Sequence, residues 1–173
     1  MIATPPTLVL MAGPPGAGKS MLALAISDVL RWPVIDKDTL KSTVLDANVP
    51  EEIAGKLSYD LLFAIGRDLL VQQRLSVVLD SPAGYPVVSE WATETASLAG
   101  ADLKVIVCLA DRDVRNRRLR DRVARPSQWR TDMQPDDDSW RERLAFLPRH
   151  ALVLDTVRPL PELTAVAVAY LRQ

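Results

Sequence analysis

Residues 13–20 combine the residue types and the spacing that bind a polyphosphate. Gly13, Gly18, Lys19 and Ser20 fit the pattern G-x-x-x-x-G-K-[ST]. Glycines let successive backbone N–H groups turn toward one anion without a Cβ clash, and a following helix adds the unpaired donors of its N-terminus. In this pattern the lysine reaches the β- and γ-phosphates and the serine hydroxyl binds Mg²⁺. The motif therefore predicts a site for a nucleoside triphosphate and Mg²⁺.

The residues on either side of this run supply the context that a phosphate-binding loop requires. An apolar run at 7–11 predicts a strand, and apolar residues at helical spacing predict a helix over 19–30. A strand, a glycine-rich loop and a helix in that order distinguish the motif from a chance glycine-rich turn. We therefore expect nucleotide contacts from Gly13, Pro14, Pro15, Gly16, Ala17, Gly18, Lys19, Ser20 and Met21.

Three carboxylates follow short apolar runs that predict strands. Asp80 ends one such run and is placed to hold Mg²⁺ together with Ser20, directly or through water. Asp36 and Asp38 follow another run, where a carboxylate can accept the proton of an attacking hydroxyl as a general base. The alternative for these two residues is an Asx turn or the cap of a helix that begins near Thr39.

Residues 111–130 carry eight arginines against three aspartates, in a chain whose net charge is −1. Arg115, Arg118 and Arg122 share one face of a predicted helix because they lie three and four residues apart. Planar guanidinium groups match the oxygens of a phosphate, which favours contacts to a nucleotide. Binding to a nucleic-acid backbone and a merely solvated helix are the alternatives.

Length and composition indicate one α/β domain. The 173 residues are 48% hydrophobic and 25% charged, which is ordinary for a globular protein. The near-neutral charge provides no general attraction to nucleic acid or acidic membranes, and no apolar run approaches the length of a membrane span. The N-terminus has neither a basic segment nor a long apolar one, so we expect a cytoplasmic protein without a membrane partner. We also expect a monomer or a homodimer. Cys108 lies in an apolar run and His150 has no second histidine, so both are interpreted as structural.

Short apolar runs alternate with helical patterns along the chain. Strands are predicted at 7–11, 34–35, 76–79, 103–109 and 151–154, and the main helices at 19–30, 51–73, 86–99, 113–123 and 160–171. Continuous apolar strands alternating with helices indicate a five-stranded parallel sheet that is covered on both faces. Ligands bind at the carboxyl ends of the strands in such sheets, which is where the three aspartates fall.

The helix predicted at 51–73 is amphipathic, and a shorter helix is predicted at 139–146. The apolar residues of the long helix recur at every fourth position: Ile53, Leu57, Leu61, Ile65 and Leu69.

Three stretches of the chain resemble motifs of the small P-loop kinases of the nucleoside-monophosphate-kinase-like class. Residues 118–122 are similar to the R-L-x-x-R helix of that class, residues 79–82 resemble its strand-3 motif, and residues 35–41 closely resemble a stretch of zeta toxin. The group of predicted ATP-binding AAA-type kinases also includes adenylate kinase, gluconate kinase, chloramphenicol phosphotransferase and polynucleotide kinase. The resemblance covers essentially the whole chain and implies a three-layer P-loop NTPase fold with strand order 2-3-1-4-5.

The same resemblance implies roles for individual residues. Arg118 would lie against the adenine of ATP, and Arg122 would contact its phosphates. The strand-3 likeness supports Asp80 near Mg²⁺. The zeta-toxin likeness makes Asp38 the expected base, with Asp36 as the second candidate. The resemblance to the kinase family also implies a short helical lid over residues 124–148. Residues 136–138, three aspartates, are expected to face solvent.

The expected function is transfer of the γ-phosphoryl group of Mg²⁺-ATP to a hydroxyl of a small molecule, with Lys19 and Arg122 neutralising the developing charge. The acceptor pocket is expected between residues 41–59, the helix after them and the loop 81–85. Rival functions are a 5′-hydroxyl kinase acting on nucleic acid, a toxin-like sugar-nucleotide kinase, and a nucleotide-dependent switch or ATPase without an acceptor. The last is disfavoured because no glutamine follows Asp80 to position a water molecule.

Overall fold

The computed structural model describes residues 4–123, 126–127, 140, 142 and 144–173, in which strands and helices alternate. The strands are β1 (Thr7–Ala12), β2 (Val34–Asp36), β3 (Val77–Asp80), β4 (Asp102–Leu109) and β5 (Leu152–Asp155). The helices are α1 (Lys19–Leu30), α2 (Lys37–Asp46), α3 (Glu51–Val71), α4 (Pro86–Ala99), α5 (Arg112–Asp121) and α6 (Leu160–Leu171).

The five strands form one parallel sheet in the order β2-β3-β1-β4-β5, which confirms the predicted fold. β1 is central, and all six of its residues are buried because helices cover both of its faces. The carboxyl ends of β2 and β3 are in register, with Asp36 paired to Asp80. The sheet therefore places these two carboxylates side by side, next to the loop that follows β1.

The side chains of β1 divide between two cores because successive residues of a strand point to opposite faces. Leu8 and Leu10 pack with buried residues of α3 and α4. Val9 and Met11 pack with buried residues of α1 and α6. The result is a three-layer arrangement in which each helix pair covers one face of the sheet.

The buried face of α3 differs from the one that the apolar residues at every fourth position indicate. Its buried positions include Leu62 and Gly66, whereas Ile53 and Ile65 are exposed. Gly66 lies against Leu79 of β3, and a Cβ at Gly66 would stand 3.1 Å from a methyl carbon of that leucine. The small residue brings the helix close to the sheet, so close approach decides which face is buried.

Most element boundaries agree with the predictions to within one or two residues. Helices α1, α4 and α6 have the predicted bounds, whereas α5 ends at Asp121, two residues early. Cys108 is buried, as predicted, and burial raises the pKa of its thiol to about 12. Among the described residues, no helix combines the length and the apolar character needed to cross a bilayer.

Most of the predicted lid lies outside the described residues. That part includes residues 136–138 and two of the eight arginines of the segment 111–130, at positions 125 and 130. Trp140, Glu142 and Leu144 have helical backbone in agreement with the predicted short helix, and Leu147 is buried in the core beneath α3 and α4.

We predict that Gly66→Val destabilises the protein by about 1–3 kcal/mol, because the added side chain overpacks the contact with Leu79. Gly55→Val, in the same helix, is the matched control, since no atom lies within 4 Å of the Cβ position at Gly55. Urea unfolding should therefore leave the Gly55 variant within about 0.5 kcal/mol of the parent protein. Equal losses in the two variants would show that helix packing against β3 does not depend on residue 66.

Candidate active site

A cleft of about 1000 Å³ lies at the carboxyl end of the sheet. It brings together most of the residues that the sequence singled out, because the loops after β1, β2 and β3 and the end of α5 all open into it. The residues of the predicted site that line it are Pro15, Gly16, Gly18, Lys19, Ser20, Met21, Asp36, Asp38, Asp80, Arg118 and Arg122. Gly13, Pro14 and Ala17 complete the loop.

The loop between β1 and α1 has a backbone conformation that favours glycine. Gly13, Gly16 and Gly18 have φ angles of 131°, 77° and 83°, in a region that side chains rarely allow. A Cβ at Gly13 would also collide with the backbone carbonyl of Cys108, and one at Gly16 would lie 2.8 Å from the carbonyl oxygen of Arg115. Glycine is therefore required here by both the turn and the close approach of β4 and α5.

Lys19, the first residue of α1, is buried and its ammonium group is held by the loop that precedes it. Nζ donates to the backbone oxygens of Gly13 and Pro14, each at 3.0 Å. The loop is closed further by hydrogen bonds from Gly13 N to Pro82 O, at 3.1 Å, and from Ala17 N to Pro14 O, at 3.2 Å. Two of the three ammonium donors thus shape the loop, and the charge lies at the cleft.

Asp80 ends β3 beneath the loop and is only 3% exposed. Burial raises the pKa of its carboxyl to about 6, against the opposing effects of the Lys19 charge and of a hydrogen bond with the Ser20 side chain. The nearby Asp36 and Asp38 add to the increase. The predicted magnesium pair, Ser20 and Asp80, is therefore adjacent in space although it comes from two different elements.

The two candidate bases, Asp36 and Asp38, have different local roles. Asp36 is the N-cap of α2: its carboxylate accepts from Asp38 N at 2.8 Å and from Thr39 Oγ1 at 3.0 Å. The Asp38 carboxylate forms an ion pair with Lys37 at 3.4 Å. The Asp38 carbonyl accepts from Ser127 Oγ at 2.9 Å, which connects the base candidate to the chain segment after α5.

Lys37 is a site residue that sequence reasoning missed. It is 9% exposed, lies 5.4 Å from the centre of the Tyr59 ring, and pairs with Asp38. Burial lowers the pKa of its ammonium group, and the charge of Asp38 opposes that effect. A lysine beside an aspartate at the start of a helix has the pattern of a surface residue, so only the packing of α3 over it reveals its position.

The three arginines that were predicted to share one helix face have different environments. Arg115 is fully buried, and its Nε donates to Ala110 O at 3.1 Å. Arg118 donates from Nη2 to Thr156 O at 2.7 Å and from Nη1 to Thr156 Oγ1 at 3.1 Å, below the loop at Gly16. Arg122 lies just past the helix end, on the cleft.

Thr156, directly after β5, also escaped the sequence analysis. Its hydroxyl lies 2.8 Å from the carbonyl oxygen of Ala17 and 3.0 Å from that of Leu109, and it accepts from Arg118. This contact links the end of β5 to the phosphate-binding loop. A lone threonine after a strand belongs to no motif, so only the tertiary structure reveals its contact with the loop.

Solved structures that share this fold include several kinases. An APS kinase from Mycobacterium tuberculosis, in complex with AMPPNP and APS, is 18% identical, with a TM-score of 0.70 over 99% of this chain and 100% of that one. A gluconokinase from Sinorhizobium meliloti is 22% identical, with a TM-score of 0.62 over 96% and 92% of the two chains. A shikimate kinase from Bacteroides thetaiotaomicron is 18% identical, with a TM-score of 0.67 over 96% and 99%.

In sequence, the chain matches one protein family. No curated protein matches the chain in sequence. The profile of the AAA domain family AAA_33 matches residues 8–148, which include the phosphate-binding loop, Asp80 and α5. With its P-loop at the carboxyl end of a 2-3-1-4-5 sheet, the chain belongs to the AAA domain family AAA_33.

Proposed function

We propose that this protein is a Mg²⁺-dependent kinase that transfers the γ-phosphoryl group of ATP to a hydroxyl of a small molecule. The observation that carries the proposal is one cleft that contains a glycine loop with Lys19, the Ser20–Asp80 pair and a separate carboxylate, Asp38. Phosphoryl transfer needs these three elements in one place, because its catalysis is mostly positioning and charge stabilisation. The kinase folds of the structural neighbours support the same reading.

The loop would bind the β- and γ-phosphates through backbone N–H groups at the start of α1. The positive end of the helix dipole and the Lys19 ammonium both favour negative charge at this position. Arg122, at the cleft beyond α5, is the further cation that we assign to the phosphates. Arg118 donates a hydrogen bond to Thr156, and the Thr156 hydroxyl donates one to the backbone oxygen of Ala17. In this proposal Arg118 therefore also stabilises the position of the loop.

Ser20 and Asp80 fit a magnesium site on the chemistry of their donor atoms. A hydroxyl and a carboxylate are hard oxygen ligands, and the buried Asp80 with its raised pKa gains from a nearby cation. When bound, Mg²⁺ would supply positive charge that neutralises the charge developing on the transferring phosphate. Ser20 and Asp80 would hold it at the end of the sheet.

Asp38 would orient and deprotonate the acceptor hydroxyl. Its carboxylate lies at the cleft and forms an ion pair with Lys37. The Lys37 ammonium group also lies 5.4 Å from the centre of the Tyr59 ring. Asp36 is less suited to the role, because both of its carboxylate oxygens accept hydrogen bonds at the start of α2. We therefore assign the base to Asp38.

Replacement of Lys19 tests the role of the loop. Lys19→Ala should lower kcat/KM for ATP on the order of 10²-fold or more, because the transferring phosphoryl group loses a cation that stabilises its charge. Lys104→Ala is the matched control, since Lys104 lies over the Tyr170 ring at 5.0 Å and does not line the cleft. Steady-state kinetics with circular dichroism as a folding check would measure both, and an unchanged Lys19 variant would contradict the proposed site.

The two carboxylates after β2 can be separated by conservative substitution. Asp38→Asn should lower kcat by about 10²–10⁴-fold with KM for ATP little changed, because the general base is lost. Asp36→Asn should retain most activity, since asparagine is as good an N-cap as aspartate. Initial-rate measurements on the pair decide between them, and the reverse ranking would assign the base to Asp36.

Asp80 makes the stability of the metal-free protein depend on pH. Its pKa is about 6 in the folded protein against an ordinary value of 3.8, so the stability it contributes when protonated is lost as pH rises from about 4 through 6. A difference of about two pKa units corresponds to about 3 kcal/mol. In EDTA, Asp80→Asn should be more stable than the parent protein at pH 7.5, with the difference shrinking toward pH 4. Thermal unfolding at both pH values checks this, and a difference independent of pH would contradict it.

A further inference from the structure

The half of the cleft beyond Asp38 has an aromatic and aliphatic wall. It is formed by α3, by the loop before α4 and by the first turns of α4: Tyr59, Tyr85, Val87, Val88 and Trp91. The rings of Tyr59 and Trp91 are 6.3 Å apart with an angle of 54° between their planes. Phe63 supports Trp91 from the core in an edge-to-face contact at 5.8 Å, so the wall has a fixed backing.

The outer part of this wall is open to solvent. Tyr85 is 53% exposed and Val87 is 39% exposed, although both lie inside the cleft. Apolar side chains that face a concave site and remain in water are typical of surfaces that bind an apolar group.

The charges of this half are already compensated within the protein. Each described lysine that lines it has a carboxylate partner: Lys37 pairs with Asp38 at 3.4 Å, Lys41 with Glu51, and Lys56 with Asp60 at 2.6 Å. The described arginines of the cleft come from the opposite side, at the end of α5. A phosphate or carboxylate on the acceptor would have to compete with these pairs, which disfavours nucleotides and nucleic acid as acceptors.

Gly55 leaves room for the body of an acceptor beside the wall. It lines the cleft from α3, and no atom lies within 4 Å of the position that its Cβ would take. Lys37 Nζ lies 3.4 Å from Asp38 Oδ1 and 5.4 Å from the centre of the Tyr59 ring, so the base and the wall are neighbours. A molecule whose hydroxyl reaches Asp38 therefore has its remaining atoms against aromatic rings.

From this arrangement we infer that the acceptor is an uncharged alcohol that carries a flat apolar ring. The inference rests on the proposed kinase function and specifies its substrate class. The ring packs against Tyr59, Tyr85 and Trp91, and the hydroxyl points to Asp38. In the reaction, the hydroxyl proton passes to Asp38, the alcohol oxygen bonds to the γ-phosphorus, and the bond to the β–γ bridging oxygen breaks, which releases ADP.

Three glucosides that share one set of sugar hydroxyls test the ring and the charge separately. Phenyl β-D-glucoside carries an aromatic ring and no charge, methyl β-D-glucoside lacks the aromatic ring, and 4-carboxyphenyl β-D-glucoside adds a carboxylate to the ring. Calorimetric titration into the protein with Mg²⁺ and AMPPNP should show the first compound binding about tenfold or more tightly than either of the others, because only it gains the ring contact without a charge penalty.

Two substitutions locate that binding at the wall. Tyr85→Ala removes an exposed ring and Gly55→Leu fills the open space, so each should weaken binding of phenyl glucoside about tenfold. Leu98→Ala is the control, because Leu98 is 62% exposed on the same helix as Val87 but does not line the cleft. All three variants should bind Mg²⁺-AMPPNP as the parent protein does.

The outcomes separate this inference from the function on which it rests. Failure of the parent protein to bind Mg²⁺-AMPPNP would overturn the proposed function. If AMPPNP binds normally, the acceptor class alone is overturned by any of three results: methyl glucoside or carboxyphenyl glucoside binds as tightly as phenyl glucoside, none of the three compounds binds, or the two wall variants change nothing.

Discussion

The site depends on a loop whose backbone touches the backbone of its neighbours. At Gly13 the main chain lies against the carbonyl of Cys108 in β4, and at Gly16 it lies against that of Arg115 in α5. No side chain other than hydrogen fits at either point, and the φ angles there are ones that glycine adopts at little cost. The position of the loop's N–H groups is therefore set by β4 and α5, which lie far away in sequence.

The arginine-rich segment serves structure as well as charge. Arg115 is buried with its side chain on Ala110, and Arg118 binds Thr156, whose hydroxyl reaches the loop at Ala17. These contacts tie α5 and the end of β5 to the phosphate-binding loop. Arg122, on the cleft just beyond α5, is the member placed for a ligand in our proposal. A dense run of arginines in a sequence can thus contain some residues that stabilise the fold and others that are placed to bind a ligand.

The cleft has two halves of different chemistry because of where the charges come from. Lys19, Arg118 and Arg122 lie around the loop, whereas the lysines of the other half are paired with carboxylates. Burial acts on both sides in the direction of the neutral form: it raises the pKa of Asp80 and lowers that of Lys37. Both groups lie next to opposite charges, which offsets part of that cost.

The sequence by itself determined the sheet and the position of the phosphate-binding loop, because continuous apolar runs and the glycine-lysine-serine spacing are local signals. The order of the strands came from the family resemblance, which the structure bears out. The tertiary structure alone decided which face of α3 is buried, because Gly66 permits a close approach of the helix to β3 that a larger side chain at this position would block. It alone placed Lys37 and Thr156 at the site. Their contacts with Tyr59 and Ala17 join residues that are distant in sequence, and local patterns carry no record of such contacts.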